Sequence, residues 1–334
     1  MEERLDLQIA ALRAQTLAPN TQKTYGSQLR LYTAFCADLG YRPVPAAPET
    51  LSRYIAFLTD RIKYRSIRCY LSAVRILHLE MGHPNPLEDS WFLSSLLKGV
   101  RRTLGDPTAP KKPITPDILL HIRAQLDFSK PLDVVFWAAA LLMFFTLLRK
   151  SNVFPPSRAG FKPALHLCRR DIKIVGPPGH QSLVVTSRRS KTIQFMERHL
   201  ETPLPFLPGH PLCPTTAVCA AFAASLPARP DDPAFTTRGP KGPIPLLYGG
   251  FLARLKQVLA SLPGGAKDYA AHSFRRGGAS WALQQGIPGE VIRVLGDWQS
   301  LAYLSYLSVP LTIRHQAMDT FASNLPTTLD PWSQ

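Results

Sequence analysis

The sequence predicts a mainly α-helical chain with a small antiparallel β-sheet, an α+β fold divided into two domains. In the first hundred residues, apolar side chains recur every three or four positions, as they do along one face of a helix. From residue 170, the segments D-I-K-I-V and S-L-V-V-T show the alternation of strands around a Gly-Pro-Pro-Gly turn. Residues 105–113 hold three prolines without periodicity, which is typical of an extended linker. We therefore expect domains at residues 1–105 and 114–334, joined by a linker at 106–113.

The first domain is predicted to be a compact bundle of four helices that follows a short helical lead at residues 1–18. Its helices are expected at residues 20–39, 48–62, 66–81 and 89–104. Asn20 and Thr21 carry the capping signal for the first of them. The last helix is expected to bury Trp91, Leu96 and Val100.

The second domain is predicted to begin with a helix capped at Thr115-Pro116. The apolar run at residues 134–148 is shorter than the roughly 18–20 residues of a membrane span, so it indicates a helix buried in a core. Arg149 is the first charge after this run, and Lys191 lies at the expected bend before a third strand near 199–205. Further helices are predicted at residues 215–226, 246–262 and 290–295, with a loop at 228–243 and a tail helix whose apolar face carries Met318, Phe321, Ala322 and Leu325.

The charge of the chain favours a polyanionic partner. The formal net charge is +16 and the pI about 9.9, which indicates nucleic acid first and an anionic membrane surface second. Five scattered cysteines without a C-x-x-C pair oppose a disulfide framework or a zinc site and favour a reducing compartment. The acidic start M-E-E-R-L-D-L-Q lacks the apolar core of a signal peptide.

Residues suited to phosphate contacts are found in both domains, although each one taken alone is more typical of a solvated polar face. The candidates are Thr21, Thr24, Lys63, Arg65, Arg68, Lys98, Arg101, Arg102, Arg188 and Arg276.

Residues 271–307 concentrate side chains suited to phosphate-ester chemistry. His272 and Arg275 stand three apart, Gly296-Asp297-Trp298 follows, and two tyrosines close the stretch. Breaking a phosphodiester requires an activated nucleophile, positive donors to the non-bridging oxygens and a proton for the leaving oxygen. Tyr306 is the candidate nucleophile, with Tyr303 as the second candidate.

The remaining roles fall to residues spread along the second domain. Arg149 and Arg275 are the candidate phosphate clamp, because a guanidinium group can donate two parallel hydrogen bonds to phosphate. His272 and Trp298 can donate to the same oxygens, His272 can help to deprotonate the tyrosine, and Lys191 can protonate the leaving hydroxyl. Singly, these residues are more often found at a helix end, in a turn or in an aromatic core. Their order and their places at element ends favour the chemical role.

In these motifs the chain resembles the tyrosine recombinases, the phage-integrase class of DNA breaking and joining enzymes. The resemblance covers roughly residues 19–310, and more narrowly the chain looks like the recombinases of eukaryotic mobile elements, namely DIRS and Ngaro-like retrotransposons and cryptons. The motifs that carry it are T-Q-K-T-Y at residues 21–25, L-L-R-K-S-N around Arg149, S-K-T-I-Q-F around Lys191, H-S-F-R-R at His272 and Arg275, and L-G-D-W-Q-S-L-A-Y-L-S-Y-L at Trp298 and Tyr306.

The resemblance implies a core-binding domain followed by a catalytic domain, which together clamp double-stranded DNA. It implies cleavage through a 3′-phosphotyrosine without ATP, metal or other cofactor, for mobilising or integrating a mobile element. It also implies dimers on one DNA site and tetramers on two, with the tail helix either docked on a neighbouring protomer or packed within its own chain. A nuclear location is inferred from the DNA substrate, since the basic clusters Lys111-Lys112 and Arg188-Arg189 are short.

This chain differs from the family pattern in three respects. Asn152 replaces an acidic residue, Arg276 replaces a second histidine, and Trp298 precedes Tyr306 by eight positions where bacterial relatives often have nine. Two alternatives remain open at this point: a type IB topoisomerase-like relaxase, and a domesticated DNA-binding protein without catalysis. The sequence leaves open the target DNA, the outcome of recombination, the host factors and the source organism.

Overall fold

The structure is a computed structural model that describes residues 1–107, 110–177, 181–195, 197–225, 228–240, 242–307, 309 and 311–323. Its internal contacts divide the chain into two units, Met1–Ala109 and Pro110–Gln334. Within the described ranges, no helix combines the length and apolar character needed to cross a membrane.

The first unit consists of five helices. They are α1 (Glu2–Arg13), α2 (Pro19–Asp38), α3 (Pro48–Thr59), α4 (Tyr64–Glu80) and α5 (Trp91–Leu104). Helices α2 to α5 share an apolar core in which Tyr32, Tyr54 and Ile67 are fully buried. Helix α1 contributes no buried residue. The predicted four-helix bundle with its helical lead is thus confirmed.

Two details of this unit differ from the prediction. Helix α2 begins at Pro19, a residue suited to the first helical position, and its N-cap is Ala18, whose methyl side chain cannot accept a hydrogen bond, so the predicted cap at Asn20 and Thr21 is wrong. Trp91 is 80% exposed, whereas Leu93 and Val100 are buried. Ser90 caps α5 by accepting from the Leu93 amide, and Trp91 lies two residues before Leu93, about 200° around the helix. The indole therefore faces away from the core.

The second unit is built of helices around a small sheet. Its elements are α6 (Pro116–Ala124), α7 (Pro131–Thr146), α8 (Lys150–Val153), β1 (Ile172–Val175), β2 (Ser182–Ser187), β3 (Leu200–Leu204), α9 (Pro214–Ala224), β4 (Thr236–Gly239), β5 (Gly242–Pro245), α10 (Tyr248–Val258), α11 (His272–Gln284), α12 (Gly289–Leu295), a 3-10 turn at Leu301–Ser305 and α13 (Leu311–Ser323).

Helix α7 forms the centre of the second unit. Its residues from Val135 to Phe144 are all buried, and it packs against α9, α11, β3 and β4. This confirms the prediction that the long apolar run is a core helix. Helix α6 has the predicted cap, since the Thr115 hydroxyl accepts from the Ile118 amide.

The three predicted strands form an antiparallel sheet in the order β1-β2-β3, with Val185 of β2 opposite Ile172 of β1 and Thr202 of β3. A second pair, β4 and β5, lies where the sequence predicts only a loop. Its prolines obscured the strand pattern, but a two-stranded ribbon has edges on which proline is tolerated.

Helix α11 approaches the core unusually closely. A Cβ atom at Gly277 would lie 1.8 Å from the Ile114 carbonyl oxygen, and one at Gly278 would lie 2.0 Å from the Phe144 carbonyl oxygen. Glycine is therefore required at both positions, and the contact holds the start of α11 beside the end of α7. The start of α11 carries two of the predicted catalytic residues, His272 and Arg275, and the predicted DNA-contact residue Arg276.

The tail prediction can be compared only in part. Met318 lies on α13 and is 61% exposed. The side chain of Phe321 and residue 325 fall outside what the structure describes.

Candidate active site

Arg275 is the most deeply buried charge of the candidate site. Only 1% of the residue is exposed, and its guanidinium donates to the carbonyls of Leu147 and Gly296, the latter at 2.6 Å. Leu147 ends α7 in the left-handed conformation (φ 55°). No carboxylate among the described residues pairs with Arg275, so its charge is left for a further anion.

Arg149 provides the second guanidinium, at the N-terminus of α8. Its side chain is 16% exposed; it donates to the Asp297 carbonyl at 3.4 Å and lies 3.9 Å from the Asp297 carboxylate. Burial lowers the pKa of Arg149, while Asp297 acts in the opposite direction. Burial and the positive charge of Arg149 lower the pKa of Arg275 as well. Arginine remains protonated at neutral pH despite such shifts. The site therefore holds two guanidinium cations, Arg149 and Arg275, and only one nearby carboxylate among the described residues, that of Asp297.

The predicted nucleophile is already in contact with the predicted base. The His272 Nε2 atom lies 2.8 Å from the Tyr306 hydroxyl, and the Arg275 guanidinium carbon lies 5.4 Å from the centre of the tyrosine ring. Although residue His272 keeps an exposed surface, loss of hydration and nearby cations, first Arg275 and then Arg149, lower its pKa to about 4. The imidazole is therefore neutral at pH 7, and with its proton on Nδ1 it can accept the phenol proton at Nε2.

Trp298 supports both arginine and tyrosine. It is 7% exposed, its ring lies 3.8 Å from the Arg275 guanidinium carbon, and it meets the Tyr306 ring edge-on at 5.2 Å. A Cβ atom at Gly296 would overlap the indole at 1.5 Å, so glycine is required beside it. The indole N–H has no hydrogen-bond partner in the described part of the chain, which leaves a donor within the cluster.

Tyr303 occupies a different place from Tyr306. It is 7% exposed, its ring lies 6.3 Å from that of Trp298, and its hydroxyl lies 2.8 Å from the position that a Cβ atom on Gly289 would take. The Tyr303 ring thus packs near the indole of Trp298, whereas the Tyr306 hydroxyl lies against the imidazole of His272. The geometry favours Tyr306 as the nucleophile.

Lys191 lies between β2 and β3, among the described residues 188–195 and 197–199, which we call the lysine segment. Lys191 is exposed, and its ammonium group makes no hydrogen bond to another described residue. The hydroxyls of its neighbours Ser190 and Thr192 both donate to the Asp297 carboxylate. The structure therefore brings five of the six predicted catalytic residues together and places the sixth on an adjoining segment.

Asp297 is the site residue that sequence reasoning missed. It directly follows Gly296 in the left-handed conformation (φ 53°), and its side chain is 4% exposed. Arg198 also donates to its carboxylate. Burial opposes ionisation, but the hydrogen bonds from Ser190, Thr192 and Arg198 outweigh it and place the pKa of Asp297 below its ordinary value. An acidic residue inside the G-D-W motif of a strongly basic chain was the signal that could have revealed it.

Asn152, at the position where relatives carry an acid, ties α8 to the lysine segment. Its amide nitrogen donates to the Arg189 carbonyl at 2.6 Å, and its amide oxygen is buried without a partner in the described residues. Asparagine therefore keeps a positioning contact that does not depend on charge.

The basic candidates of the first unit lie on its surface. Lys63, Arg65, Arg68, Lys98, Arg101 and Arg102 are all exposed. Asp106 binds two of them, Arg65 at 2.8 Å and Arg101 at 3.3 Å. Thr24 is exposed and Thr21 half-buried, and the Thr24 hydroxyl donates to the Asn20 carbonyl.

Arg188 and Arg276, the two DNA-contact candidates of the second unit, are held by the protein itself. Arg188 donates twice to the Asp171 carboxylate, at 2.7 Å each, and its side chain is 23% exposed. Arg276 donates to the Ser305 carbonyl at 2.8 Å, next to the nucleophile. These contacts favour structural roles, fastening the lysine segment in the first case and the tyrosine turn in the second.

Comparison with known proteins places this geometry in context. No protein-family model matches the chain. An "integrase/recombinase xerD homolog" from Selenomonas ruminantium is 27% identical over 154 residues, a match that spans 45% of this chain and 45% of that protein.

Solved structures match over nearly the whole chain. The Tn1549 transposon integrase in complex with transposon right end DNA has a TM-score of 0.58 at 13% identity and covers 95% of this chain and 98% of its own. The lambda integrase dimer bound to a COC′ core site has a TM-score of 0.54 at 14% identity, covering 92% and 95%. The XerH site-specific recombinase in a post-cleavage complex has a TM-score of 0.58 at 13% identity, covering 91% and 79%. This chain therefore has the fold of these integrases and recombinases, mainly helical with a small antiparallel sheet.

Proposed function

We propose that this protein is a tyrosine-type, site-specific DNA recombinase. The observation that carries the proposal is the contact between the Tyr306 hydroxyl and a neutral His272, beside an Arg275 that lacks a partner carboxylate among the described residues. A phenol with an ordinary pKa near 10 needs such a base to attack at neutral pH. A phosphate is the anion that fits between two guanidinium groups, because each can bind it through two parallel hydrogen bonds.

In the proposed reaction, His272 accepts the phenol proton as the Tyr306 oxygen attacks phosphorus. The new bond joins tyrosine oxygen to the 3′-phosphate, and the bond between phosphorus and the 5′-oxygen breaks with its electron pair on that oxygen. Lys191 donates the proton that makes the 5′-hydroxyl. Arg149 and Arg275 stabilise the charge on the non-bridging oxygens. Rejoining reverses these steps with a 5′-hydroxyl of the partner strand, so the ester energy is conserved.

The partners follow from the same proposal. Double-stranded DNA suits the net charge of +16, and the solved structures that share the fold include DNA complexes. We expect a dimer on one DNA site and a tetramer on two, with the tail helix as a candidate contact between protomers. The motif resemblance further suggests that the chain mobilises or integrates a mobile element, in a nucleus if the source is eukaryotic.

Covalent capture tests the proposal and identifies the target DNA in the same experiment. Protein expressed in cells is isolated under denaturing conditions, and the DNA that remains attached is sequenced. Wild type should yield discrete sites, Tyr306→Phe none, and Tyr303→Phe the same sites as wild type unless it unfolds. Capture that survives Tyr306→Phe and disappears in Tyr303→Phe would transfer the nucleophile to Tyr303.

Further outcomes separate the alternative functions. DNA binding without any covalent product would identify a DNA-binding protein that lacks catalysis. Relaxation of supercoiled plasmid without a captured site would identify a topoisomerase-like activity. On a captured site, Arg149→Ala and Arg275→Ala should each lower cleavage by roughly 10²–10³-fold, the usual effect of removing one oxyanion donor.

A further inference from the structure

The buried Asp297 carboxylate gathers three donors from one stretch of chain. Ser190, Thr192 and Arg198, all on the lysine segment, donate to it across about a hundred positions of sequence. The 4% exposure of the Asp297 side chain means that water cannot replace these donors readily. Arg149 donates to the backbone carbonyl of Asp297 at 3.4 Å and lies 3.9 Å from the carboxylate, and the Thr192 hydroxyl also contacts that carbonyl, at 3.1 Å. Removal of the carboxylate charge therefore weakens the bonds from Ser190, Thr192 and Arg198, and of these three only Thr192 keeps a contact with the carbonyl.

The contacts within the lysine segment show what would be lost. The Ser190 hydroxyl that donates to Asp297 also accepts from the amides of Thr192 and Ile193, at 3.0 and 3.2 Å, and the Ser190 amide donates to the Ile193 carbonyl. These bonds close a tight turn with Lys191 at its exposed corner. The turn is thus fastened at both sides of Lys191, while the lysine side chain itself is free to reach outward.

We propose that the Asp297 carboxylate is a positioning residue that fixes the lysine segment so that Lys191 can protonate the leaving 5′-oxygen. This proposal rests on the proposed function for the role of Lys191, whereas the fastening of the segment rests on the structure alone. Asp297 itself donates no proton and touches no substrate. It acts at the step in which the bond between phosphorus and the 5′-oxygen breaks.

Hydrogen exchange tests the fastening without any DNA. In Asp297→Asn, which keeps the shape and removes the charge, the amides of Thr192 and Ile193 should exchange at least about tenfold faster. The matched control is Asp133→Asn: Asp133 is an equally buried carboxylate in the same unit, held by Arg254 at 2.7 Å through both oxygens. Unchanged exchange at residues 192–193 in Asp297→Asn would overturn the proposal.

A sulfur-substituted substrate tests the chemical role. A captured site is made as a duplex with its ordinary 5′-bridging oxygen and again with sulfur there, because a leaving thiolate needs far less protonation than an alkoxide. Asp297→Asn should cleave the oxygen substrate about 10²-fold more slowly than wild type, which is the lower range for general acid catalysis. On the sulfur substrate its cleavage rate should fall far less. Lys191→Ala should likewise cleave the sulfur substrate much faster than the oxygen substrate. Arg149→Ala should cleave both substrates slowly.

The outcomes distinguish the two proposals. If Asp297→Asn lowers cleavage of the oxygen and sulfur substrates by the same factor, the positioning role is wrong while the recombinase function stands. Any loss of cleavage in the control Asp133→Asn is expected to be equal on the two substrates. If wild type cleaves neither duplex, the proposed function fails, and hydrogen exchange still decides whether Asp297 fastens the segment. Should Asp297→Asn not fold, the double variant Thr192→Val/Arg198→Gln removes two of the three donors and leaves the Ser190 hydroxyl in place as the acceptor for the amides of Thr192 and Ile193, so the same two measurements apply.

Discussion

The close contact of α11 with the core can be perturbed at one glycine. In Gly278→Ala, the new Cβ atom would lie 2.0 Å from the Phe144 carbonyl oxygen, about 1.4 Å short of the 3.4 Å at which ordinary contact begins. A backbone carbonyl cannot rotate away, so α11 or α7 must move. Overpacking typically costs ~1–3 kcal/mol, and the constraint here favours the upper end. Alanine recovers ~1 kcal/mol of helix propensity, so we expect a net loss of ~2 kcal/mol.

Cleavage should fall further than stability alone explains. Arg275 lies one turn before Gly278 on α11, and a displacement of about 1 Å at a reacting group can cost ~10²-fold in rate. Urea unfolding measures the stability change, and cleavage of a captured site measures the rate. Gly99→Ala in the interior of α5 is the matched control, because a Cβ atom there would meet nothing within 4 Å. It should stabilise the protein by ~0.5–1 kcal/mol. If Gly278→Ala stabilises by the same amount, the close contact does not exist.

Three further predictions follow from individual contacts. Arg188→Ala should destabilise by ~3 kcal/mol in urea unfolding, because it leaves the 5%-exposed Asp171 carboxylate unpaired; a change below ~0.5 kcal/mol would instead indicate a free surface arginine. The pKa of His272 is lowered to about 4 in the folded protein. Between pH ~6.5 and 4 the unfolded chain therefore binds a proton at His272 and the folded chain does not, so the free energy of unfolding falls as the pH drops through this range. His272→Gln should flatten that part of the pH profile of unfolding, and an unaltered profile would contradict the shift. Arg68→Ala should reduce the slope of log affinity for DNA against log salt by about 1, and Arg65→Ala should do so less because Asp106 already binds Arg65.

Much of the fold could be predicted because its signals are local. The run that forms most of α7 is apolar at every position from Val134 to Phe145, so only a buried helix or a membrane span could accommodate it, and its length decided between them. Burial alternates from residue to residue along β2 and β3, as the sequence pattern predicts for strands. The orientation of Trp91 was not predictable from hydrophobicity alone, because an N-cap at Ser90 fixes which face of α5 turns inward. Strands β4 and β5 were missed because their pairing, not their composition, defines them.

The candidate site likewise contains some residues whose arrangement the sequence predicts and others whose partners only the structure reveals. His272 and Arg275 stand three apart on a helix and so share a face, which spacing alone predicts. The role of Asp297 could not be predicted so directly, because its partners lie on the lysine segment about a hundred positions earlier. Arg188 shows the converse: a basic residue in a basic chain suggests DNA, and only the position of Asp171 reveals an internal ion pair.

The contact between His272 and Tyr306 has a consequence for mixed assemblies. The phenol, the imidazole and both guanidinium groups come from a single polypeptide, so under the proposed function each copy would supply all four groups to its own centre. Combining Arg275→Ala copies with Tyr306→Phe copies would leave every centre lacking one part. Such a mixture should show no complementation, and each copy should cut only the strand that it alone engages.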